Sequence, residues 1–323
     1  MLAQFCQGLK KHNHFLLTCH VLPEGDAIGS ILALDSLLQR LGKTTTIVAE
    51  DDFPKRIYCL PSKRWNRADE ITDPPHAFKA IVLADCANLS RIGKVQELLS
   101  PEAVIFNIDH HISNDSFGTY NCIKPDASSS GEVVYDIFKY LHMPIKKEEA
   151  QSLYVALSTD TGSFKYGNTT AQTLKIAAEL LDSGIDVEKI NQDLYDTYSL
   201  NKINLYSRLL SRVKTAQQGR IAWATMERND LFDSGAIDED MEGFIDFLKS
   251  LREVKVAFFL SELPKKGLIR ASFSSKDKYD VNKIATFFQG GGHKKASGCT
   301  LTMSLAEAER VVLERIERFY KFS

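Results

Sequence analysis

Four short apolar runs in this chain each end in side chains that can bind a metal ion, and this repetition limits what the chain can fold into. The segments are 16–30, 80–93, 104–111 and 156–166. Each run is typical of a buried strand, and each is followed by histidine or carboxylate groups. We therefore expect the ends of four strands to meet in one site that binds more than one hard cation.

Residues 1–185 alternate between predicted strands and predicted helices. Strands are predicted at 14–20, 44–50, 80–85, 103–109 and 119–123, and helices at 27–41, 54–60, 130–141, 147–158 and 170–183. This alternation predicts an α/β fold with a doubly wound, mostly parallel sheet. Ligands of such sheets bind at the carboxyl ends of the strands, which is where the metal-competent side chains fall.

The pattern changes after residue 185. The segment 186–212 has apolar residues at helical spacing and lacks Pro and Gly, which predicts a helical linker. Residues 213–323 are then predicted to form a smaller α+β domain. Its predicted elements are a hairpin of 213–216 with 220–226, a second hairpin of VKVAFFL with LIRASFS, a helix near 281–288, a loop, a strand at 298–303 and a helix at 304–320.

The composition excludes several classes of protein. With 323 residues, 44% of them hydrophobic and 25% charged, the chain is expected to form two globular domains. The formal net charge of −2 gives no bulk attraction to long polyanions, whereas a local basic pocket would suffice for a small phosphorylated ligand. The six cysteines form no CxxC pair, and no apolar stretch approaches the length of a membrane span. We expect a cytoplasmic protein with reduced thiols.

The first three candidate ligands precede a predicted helix. His20, Glu24 and Asp26 lie in a tight turn, and one imidazole with two carboxylates can reach two adjacent cations. An alternative is that Glu24 and Asp26 only stabilise the N-terminus of that helix, which acidic residues favour. The residues of this turn leave both interpretations open.

The other candidates follow the remaining apolar runs. Asp85 and Asp160 could each be an ordinary turn residue. Asp109-His110-His111 is the clearest sign of a metal site, because adjacent buried histidines seldom serve packing. Ser129 and Glu132 match a helix-capping box and are interpreted as structural. The four segments together favour a metal site over four unrelated turns.

Taken together, these motifs resemble those of the DHH phosphoesterase superfamily, which includes RecJ-type exonucleases. The C-terminal 290-GGGHKKASG-298 resembles the signature of the DHHA1 substrate-binding domain. A DHH and a DHHA1 domain in a chain of this length are similar to the NrnA-type branch of nanoRNases and pAp phosphatases. The resemblance covers nearly the whole chain and implies a DHH domain at 1–185, a linker at 186–212 and a DHHA1 domain at 213–323.

The resemblance implies a set of ligands for two metal ions. The first ion would be held by His20, Glu24 and Asp85, and the second by Asp26, Asp85, His110 and Asp160. Mn²⁺ is the usual cation of the family and suits this donor set, with Mg²⁺ or Co²⁺ as alternatives. Asp109 would orient a neighbouring imidazole, and His111 would lie close to the substrate phosphate. The family position that matches Glu24 is usually Asp, which puts the tightness of the first metal site in question.

The resemblance also assigns the substrate-binding residues to the second domain. Gly290, Gly291 and Gly292 would let backbone amides approach a phosphate, and His293 would add charge. Arg270 and Ser272 lie two residues apart on a predicted strand and would face the substrate together. Arg91, shortly after Asp85, is a further candidate phosphate ligand.

Several functions remain open from these residues. The first hypothesis is a metal-dependent phosphohydrolase that releases nucleoside monophosphates from short single-stranded oligoribonucleotides and removes the 3′-phosphate of 3′-phosphoadenosine 5′-phosphate (pAp). A second is a phosphodiesterase for linear or cyclic dinucleotides. A third is a non-catalytic nucleotide-binding or RNA-binding module, which only Glu24 favours. No membrane partner is expected, and the resemblance is compatible with a homodimer through the first domain.

Overall fold

The structure is a computed structural model that describes residues 1–54, 57, 59–71 and 78–321. It divides into two units, Met1–Thr197 and Tyr198–Ser323. Each unit is built around one sheet of six strands. No helix among the described residues is both long enough and apolar enough to cross a lipid bilayer.

The sheet of the first unit is entirely parallel. Its strands are β1 (His14–Cys19), β2 (Thr44–Ala49), β3 (Trp65–Arg67), β4 (Phe78–Ala84), β5 (Leu99–Asp109) and β6 (Tyr120–Ile123). Their order is β3-β2-β1-β4-β5-β6, and every pair of neighbours is parallel. The order therefore changes direction between β1 and β4, which is the position where open parallel sheets have a binding crevice. The predicted fold class is confirmed.

Both faces of this sheet are buried, which explains the continuous apolar runs of its strands. In β1, Phe15 and Leu17 pack on one face, and Leu16 packs on the other. The first face is covered by α-helices: α1 (Leu2–Lys11), α2 (Gly25–Arg40), α3 (Ser130–Tyr140), α4 (Lys147–Asp160), α5 (Ala171–Leu181) and α6 (Val187–Tyr195). The second face is covered in part by the 3-10 segment Leu89–Leu98, through Ile92 and Val95.

The sheet of the second unit is mixed. Its strands are β7 (Lys214–Ala216), β8 (Ile221–Met226), β9 (Val256–Glu262), β10 (Leu268–Ser275), β11 (Gly291–Gly292) and β12 (Ala296–Thr302). Their order is β11-β12-β10-β9-β8-β7, with β8 and β9 parallel and the other neighbours antiparallel. The two predicted hairpins, β7–β8 and β9–β10, are confirmed.

Helices cover both faces of this second sheet as well. They are α7 (Leu200–Leu210), α8 (Arg228–Ser234), α9 (Phe244–Ser250), α10 (Asn282–Phe287) and α11 (Leu305–Phe319). Residues of α10 and α11 pack on the face that carries Phe258 and Phe273, and residues of α7, α8 and α9 pack on the face that carries Phe259. The segment 186–212, predicted to be helical, contains α6 and α7.

The loop predicted after the helix near 281–288 differs from the structure, and the helix predicted at 54–60 is only partly described. The glycine-rich segment was expected to be a loop, but Gly291 and Gly292 pair with Gly298 and Ser297, so the segment forms the tip of a short hairpin. Its turn is closed by a hydrogen bond from the His293 amide to the Ala296 carbonyl, at 2.7 Å. The helix predicted at 54–60 falls partly on residues outside the described ranges.

Candidate metal centre

The candidate ligands lie where the strands of the first sheet end. His20 follows β1, Asp85 follows β4, and Asp109 is the last residue of β5. Asp85 has a φ of +61°, and its amide donates a hydrogen bond to the Ile108 carbonyl of the neighbouring strand at 2.9 Å. Asp is one of the few residues with a side chain that adopts a left-handed backbone readily, and the hydrogen bond to β5 holds this conformation in place.

Two further candidate ligands come from helices. Asp26 lies in the first turn of α2, and Asp160 is the last residue of α4. The prediction that the fourth apolar run is a strand is therefore wrong, whereas the overlapping prediction of a helix at 147–158 is confirmed by α4. A short apolar run fits a buried helix as well as a buried strand, which is why the pattern could not separate the two.

The His110 imidazole is the centre of the cluster. Its Nε2 atom lies 3.8 Å from Asp26 Oδ2, 3.6 Å from Asp85 Oδ1 and 3.6 Å from Asp160 Oδ2. These distances are longer than hydrogen bonds, so the four side chains face one another without bonding directly. Such spacing suits donors that share a cation.

The other nitrogen of two imidazoles is held by backbone. His20 Nδ1 lies 2.8 Å from the Val21 carbonyl oxygen, and His110 Nδ1 lies 3.3 Å from the Ala127 carbonyl oxygen. Each contact favours a proton on Nδ1 and leaves Nε2 as the donor to a metal. The Nε2 of His20 faces Asp85 Oδ2 at 3.3 Å.

Potential ligand atoms within 4.8 Å of one another form two groups in the described part of the chain. The first is Asp85, Asp109, His110 and His111, and the second is Asp26, His110 and Asp160. His110 belongs to both groups. Imidazole nitrogens and carboxylate oxygens in this mixture fit a divalent transition metal such as Mn²⁺. The protein therefore carries a candidate metal site.

Asp109 is hydrogen-bonded within the protein. Its Oδ1 accepts from the amides of His110 and His111 at 2.8 and 3.2 Å and lies 2.6 Å from His111 Nδ1. Its Oδ2 accepts from Asn114 Nδ2 at 2.6 Å. This arrangement orients the His111 ring and is the one expected if Asp109 acts through a neighbouring imidazole.

The start of α3 holds two other carboxylates. The amides of Ser130 and Gly131 donate to Asp26 at 2.7 and 2.9 Å, and the Ser130 hydroxyl donates to Asp85 Oδ1 at 3.2 Å. Asp26 thus accepts from the N-terminus of a neighbouring helix, and the alternative that it only caps its own helix is not what the structure shows.

The electrostatics of the cluster favour a bound cation. Burial and the nearby Asp85 raise the pKa of Asp26 well above its usual value. Burial lowers the pKa of His110, but the carboxylates of Asp26, Asp160 and Asp85 outweigh it and raise this pKa to about 9. Burial also raises the pKa of Asp160 to about 6, against the effect of His110. Without a metal, protons must neutralise these crowded carboxylates.

Glu24 lies apart from the two groups of ligand atoms. It is exposed at the N-cap position of α2, where its side chain makes no capping hydrogen bond. Its charge is the smallest of the effects that act on the raised pKa of Asp160.

The phosphate-binding candidates lie in both units. Arg91 is exposed. Burial lowers the pKa of His20, but the Asp85 carboxylate outweighs it and raises this pKa, and the charge of Arg91 opposes the rise with a smaller effect. In the second unit, Arg270 is exposed on β10 and its guanidinium lies against Gly298, while Ser272 is half-buried on the same strand. His293 is exposed next to the paired Gly291 and Gly292.

Several residues that hold the ligands were not predicted. Asn114, Ser130, Gly131 and Asn168 contact candidate ligands through hydrogen bonds. The residues themselves carry no metal-binding pattern. The only signal was that Ser130 and Gly131 stand at the predicted start of a helix, where backbone amides can bind an anion.

Comparisons with known proteins agree with this architecture. Residues 14–157 match the family model described as DHH family, N-terminal domain, and residues 219–321 match the DHHA1 domain. The bifunctional oligoribonuclease and PAP phosphatase NrnA of Thermus thermophilus is 31% identical over 304 residues, which are 93% of this chain and 88% of the relative. The protein of the same name from Bacillus subtilis is 26% identical over 97% of each chain.

A solved structure is also similar over nearly the full length. The crystal structure of an exopolyphosphatase-related protein from Bacteroides fragilis has a TM-score of 0.92 at 29% identity and covers 98% of this chain and 96% of its own. The family that the motifs suggested and the class of enzyme are confirmed by these matches. This chain belongs to the DHH phosphoesterases that carry a DHHA1 domain, and it is a hydrolase.

Proposed function

We propose that the protein hydrolyses phosphoester bonds in short single-stranded oligoribonucleotides, releasing nucleoside monophosphates, and also removes the 3′-phosphate of pAp. The observation that carries the proposal is the position of His110, whose Nε2 faces carboxylates from α2, β4 and α4 without a direct hydrogen bond. The named activities of the NrnA relatives support the choice of substrates.

The proposed centre holds two Mn²⁺ ions, with Mg²⁺ or Co²⁺ as alternatives. His20, Glu24 and Asp85 would hold the first ion, and Asp26, Asp85, His110 and Asp160 the second. The convergence of carboxylates on His110 and His20 supports this division. Two divalent ions would activate a water molecule and offset the negative charge of the phosphoryl oxygens.

His111 is proposed to supply the proton that the leaving ribose oxygen needs. Burial lowers its pKa, but the hydrogen bond and charge of Asp109 outweigh this effect and raise the pKa above its usual value. Asp109 therefore favours the imidazolium form, which can donate a proton from the ring. The side chain of His111 is 19% exposed, so a substrate can reach it.

The second unit is proposed to bind the substrate's phosphates and base. Arg270 and Ser272 point from the same face of β10, and the absence of a side chain at Gly298 makes room for the guanidinium. Gly291 and Gly292 lie on the edge strand β11, so part of their backbone faces away from β12. Gly290, His293 and, in the first unit, Arg91 complete the proposed contacts. These residues are uncharged or cationic, so none of them would repel a bound phosphate.

The test is the release of mononucleotide from a labelled RNA dimer with and without Mn²⁺. Turnover should depend on the metal and should be almost completely lost in His110→Ala and Asp85→Ala, with the fold retained by circular dichroism. Asn66→Ala is the control, because the Asn66 side-chain amide donates to the backbone carbonyls of Ile47 and Arg64 and, among the described residues, contacts no candidate ligand. Full activity in either ligand variant would remove that residue from the centre.

A substrate panel separates the remaining functions. Dinucleotides, RNA pentamers, pAp and linear and cyclic dinucleotide second messengers are compared at saturating Mn²⁺. Faster turnover of cyclic dinucleotides than of the RNA dimer would favour the phosphodiesterase alternative. Tight binding of every compound without any turnover would contradict the proposed hydrolysis.

A further inference from the structure

We propose that the buried loop Ala127–Gly131, whose last two residues begin α3, positions all four proposed ligands of the second metal ion together with the adjacent Asn168, and that Ser130 and Asn168 are the positioning residues. The inference rests on the metal centre proposed above. It goes further by assigning a role to side chains that have no place in the family's ligand set.

The loop contacts three of the ligands directly. The carbonyl of Ala127 faces His110 Nδ1, and the amides of Ser130 and Gly131 bind the two oxygens of Asp26. The Ser130 hydroxyl donates to Asp85 Oδ1, the same oxygen that faces His110 Nε2. One residue, Ser130, therefore fixes the distance between Asp26 and Asp85.

Asn168 connects the fourth ligand to the same loop. Its Nδ2 lies 3.0 Å from the Asp160 carbonyl, 3.3 Å from Asp160 Oδ2 and 3.1 Å from the Ser128 carbonyl. An amide group has two hydrogens, which these three oxygens share. Because Asn is neutral, it can hold Asp160 without competing with a cation, as a lysine or arginine would.

A turn with a left-handed backbone returns the chain from Asp160 to Asn168. Gly162, Ser163 and Phe164 have φ values of +56°, +59° and +62°. This conformation is disfavoured for residues with a side chain, and it is stabilised here by Thr161, whose hydroxyl accepts a hydrogen bond from the Phe164 amide at 3.0 Å. The strain lies next to a proposed ligand, where it serves to bring Asn168 back to Asp160.

The loop is itself held by Glu132. The Glu132 carboxylate, 1% exposed, accepts hydrogen bonds from the Ser128 amide and hydroxyl at 3.2 and 3.1 Å and from Lys124 Nζ at 3.2 Å. Ser128, Ser129 and Ser130 are fully buried. A buried loop with satisfied polar groups keeps one conformation, which a positioning role requires.

The test is a titration of the substrate-free protein with Mn²⁺, in which the EPR signal of free Mn²⁺ measures how much of the metal remains unbound. Because Ser130 bonds to Asp85, which both ions are proposed to share, Ser130→Ala should lower the affinity for both ions. Asn168 bonds to Asp160, a proposed ligand of the second ion alone, so Asn168→Ala should lower the affinity for the second ion only. Loss of a group that orients a ligand typically reduces metal affinity about 10–100-fold.

Two matched controls distinguish positioning from general damage. Ser36→Ala also removes a serine hydroxyl that donates to a buried carboxylate, that of Glu149, at 2.7 Å. Neither Ser36 nor Glu149 is a candidate ligand. Asn66→Ala removes an asparagine amide that bridges two backbone carbonyls. Both should leave Mn²⁺ affinity within about twofold. The metal-free melting temperature is measured for all variants, and Asn168→Ser replaces Asn168→Ala if the latter does not fold.

A double-mutant cycle completes the test. If Asn168 acts through Asp160, Asn168→Ala should have no further effect on Mn²⁺ binding in Asp160→Ala. Wild-type affinity in both Ser130→Ala and Asn168→Ala, or equal losses with and without Asp160, would overturn the inference. Absence of Mn²⁺ binding by the unmodified protein would instead overturn the proposed metal centre.

Discussion

The surroundings of Asp109 leave little freedom for substitution. It is fully buried, and both carboxylate oxygens accept hydrogen bonds, from His110, His111 and Asn114. The Asn114 amide cannot reverse to suit a new partner, because its oxygen already accepts from the Ser116 amide at 2.8 Å. Both oxygens of Asp109 therefore face hydrogen-bond donors, and a group with two acceptor atoms, such as a carboxylate, is required at this position.

We expect Asp109→Asn to reduce kcat about 10–100-fold, because the His111 ring loses its orientation and the support for its imidazolium form. The free energy of unfolding should fall by about 1–3 kcal/mol, since an N–H group would face existing donors. Steady-state kinetics and urea denaturation measure the two effects. Unchanged kcat in a stably folded variant would show that Asp109 does not act through His111.

For Glu24 we expect a substitution that does not lower turnover. It is exposed and lies outside the close groups of ligand atoms, although the family position is usually Asp. If Glu24 binds the first ion, Glu24→Asp should leave turnover equal or higher, because the shorter side chain is the usual ligand. The measurement is kcat as a function of Mn²⁺ concentration. A large loss would mean that the site is built around the longer side chain.

The protonation of the cluster predicts how Mn²⁺ affinity depends on pH. His110 has a pKa of about 9 in the metal-free protein, so it is protonated at neutral pH and must lose its proton to bind a metal. Raising the pH favours the deprotonated ring, so affinity should increase, by about tenfold per pH unit for each proton displaced. Titration calorimetry in buffers of different ionisation enthalpy counts the released protons. Affinity that stays constant between about pH 6.5 and about pH 8 would contradict this.

At the scale of the elements, the approach of α2 to α4 sets the position of two proposed ligands. A Cβ atom on Gly29 of α2 would clash with the Ser152 carbonyl of α4 and lie 3.1 Å from Ala156 Cβ. Asp26 lies one turn before Gly29 in α2, and Asp160 ends α4. The close contact between the two helices therefore helps to set the positions of both carboxylates.

We expect Gly29→Ala to lower the free energy of unfolding by about 1–3 kcal/mol, because the helices must separate to fit the methyl group. At an open helix position the same change would stabilise the protein. The control is Gly167→Ala, where no atom lies within 4 Å of the added Cβ. Chemical denaturation measures both variants. Equal stability of Gly29→Ala and the unmodified protein would show that the helices can adjust without cost.

The sequence predicts the elements that carry a long hydrophobic pattern and misses those that do not. The strands β1, β2, β4 and β5 were predicted because burial on both faces requires unbroken apolar runs. The edge strand β3 has the sequence Trp-Asn-Arg, and β11 consists of two glycines, so neither has a pattern to detect. Helix α1 is an exception, because it was not predicted although Phe5 and Leu9 lie one helical turn apart on its buried face.

The site shows the same division between ligands and their supports. A cluster of histidines and carboxylates could be predicted from the residues after the apolar runs, because such side chains have few other uses in a buried position. Asn168 could not, because its role depends on a backbone turn that brings it back to Asp160. Hydrogen bonds of this kind follow from the tertiary structure and leave no periodic signal in the chain.

At the scale of the whole molecule, each unit buries its own hydrophobic core. The cores of the first unit line the two faces of the parallel sheet, and those of the second unit line the mixed sheet. A surface substitution in one unit therefore leaves the packing of the other intact. The proposed metal ligands and the proposed contacts of Arg270 can accordingly be tested separately.

We expect Arg270→Ala to raise KM for the RNA dimer about 10–100-fold, the effect of losing a charge-assisted hydrogen bond to phosphate. Mn²⁺ affinity should not change, because all the proposed metal ligands belong to the first unit. Arg310→Ala is the matched control, since Arg310 is an exposed arginine of the same unit that pairs with Glu314 at 3.0 Å. Kinetics at saturating Mn²⁺ and a separate metal titration give the two quantities. An unchanged KM in Arg270→Ala would exclude this arginine from substrate binding, whereas a loss of Mn²⁺ affinity would show that the units do not act separately.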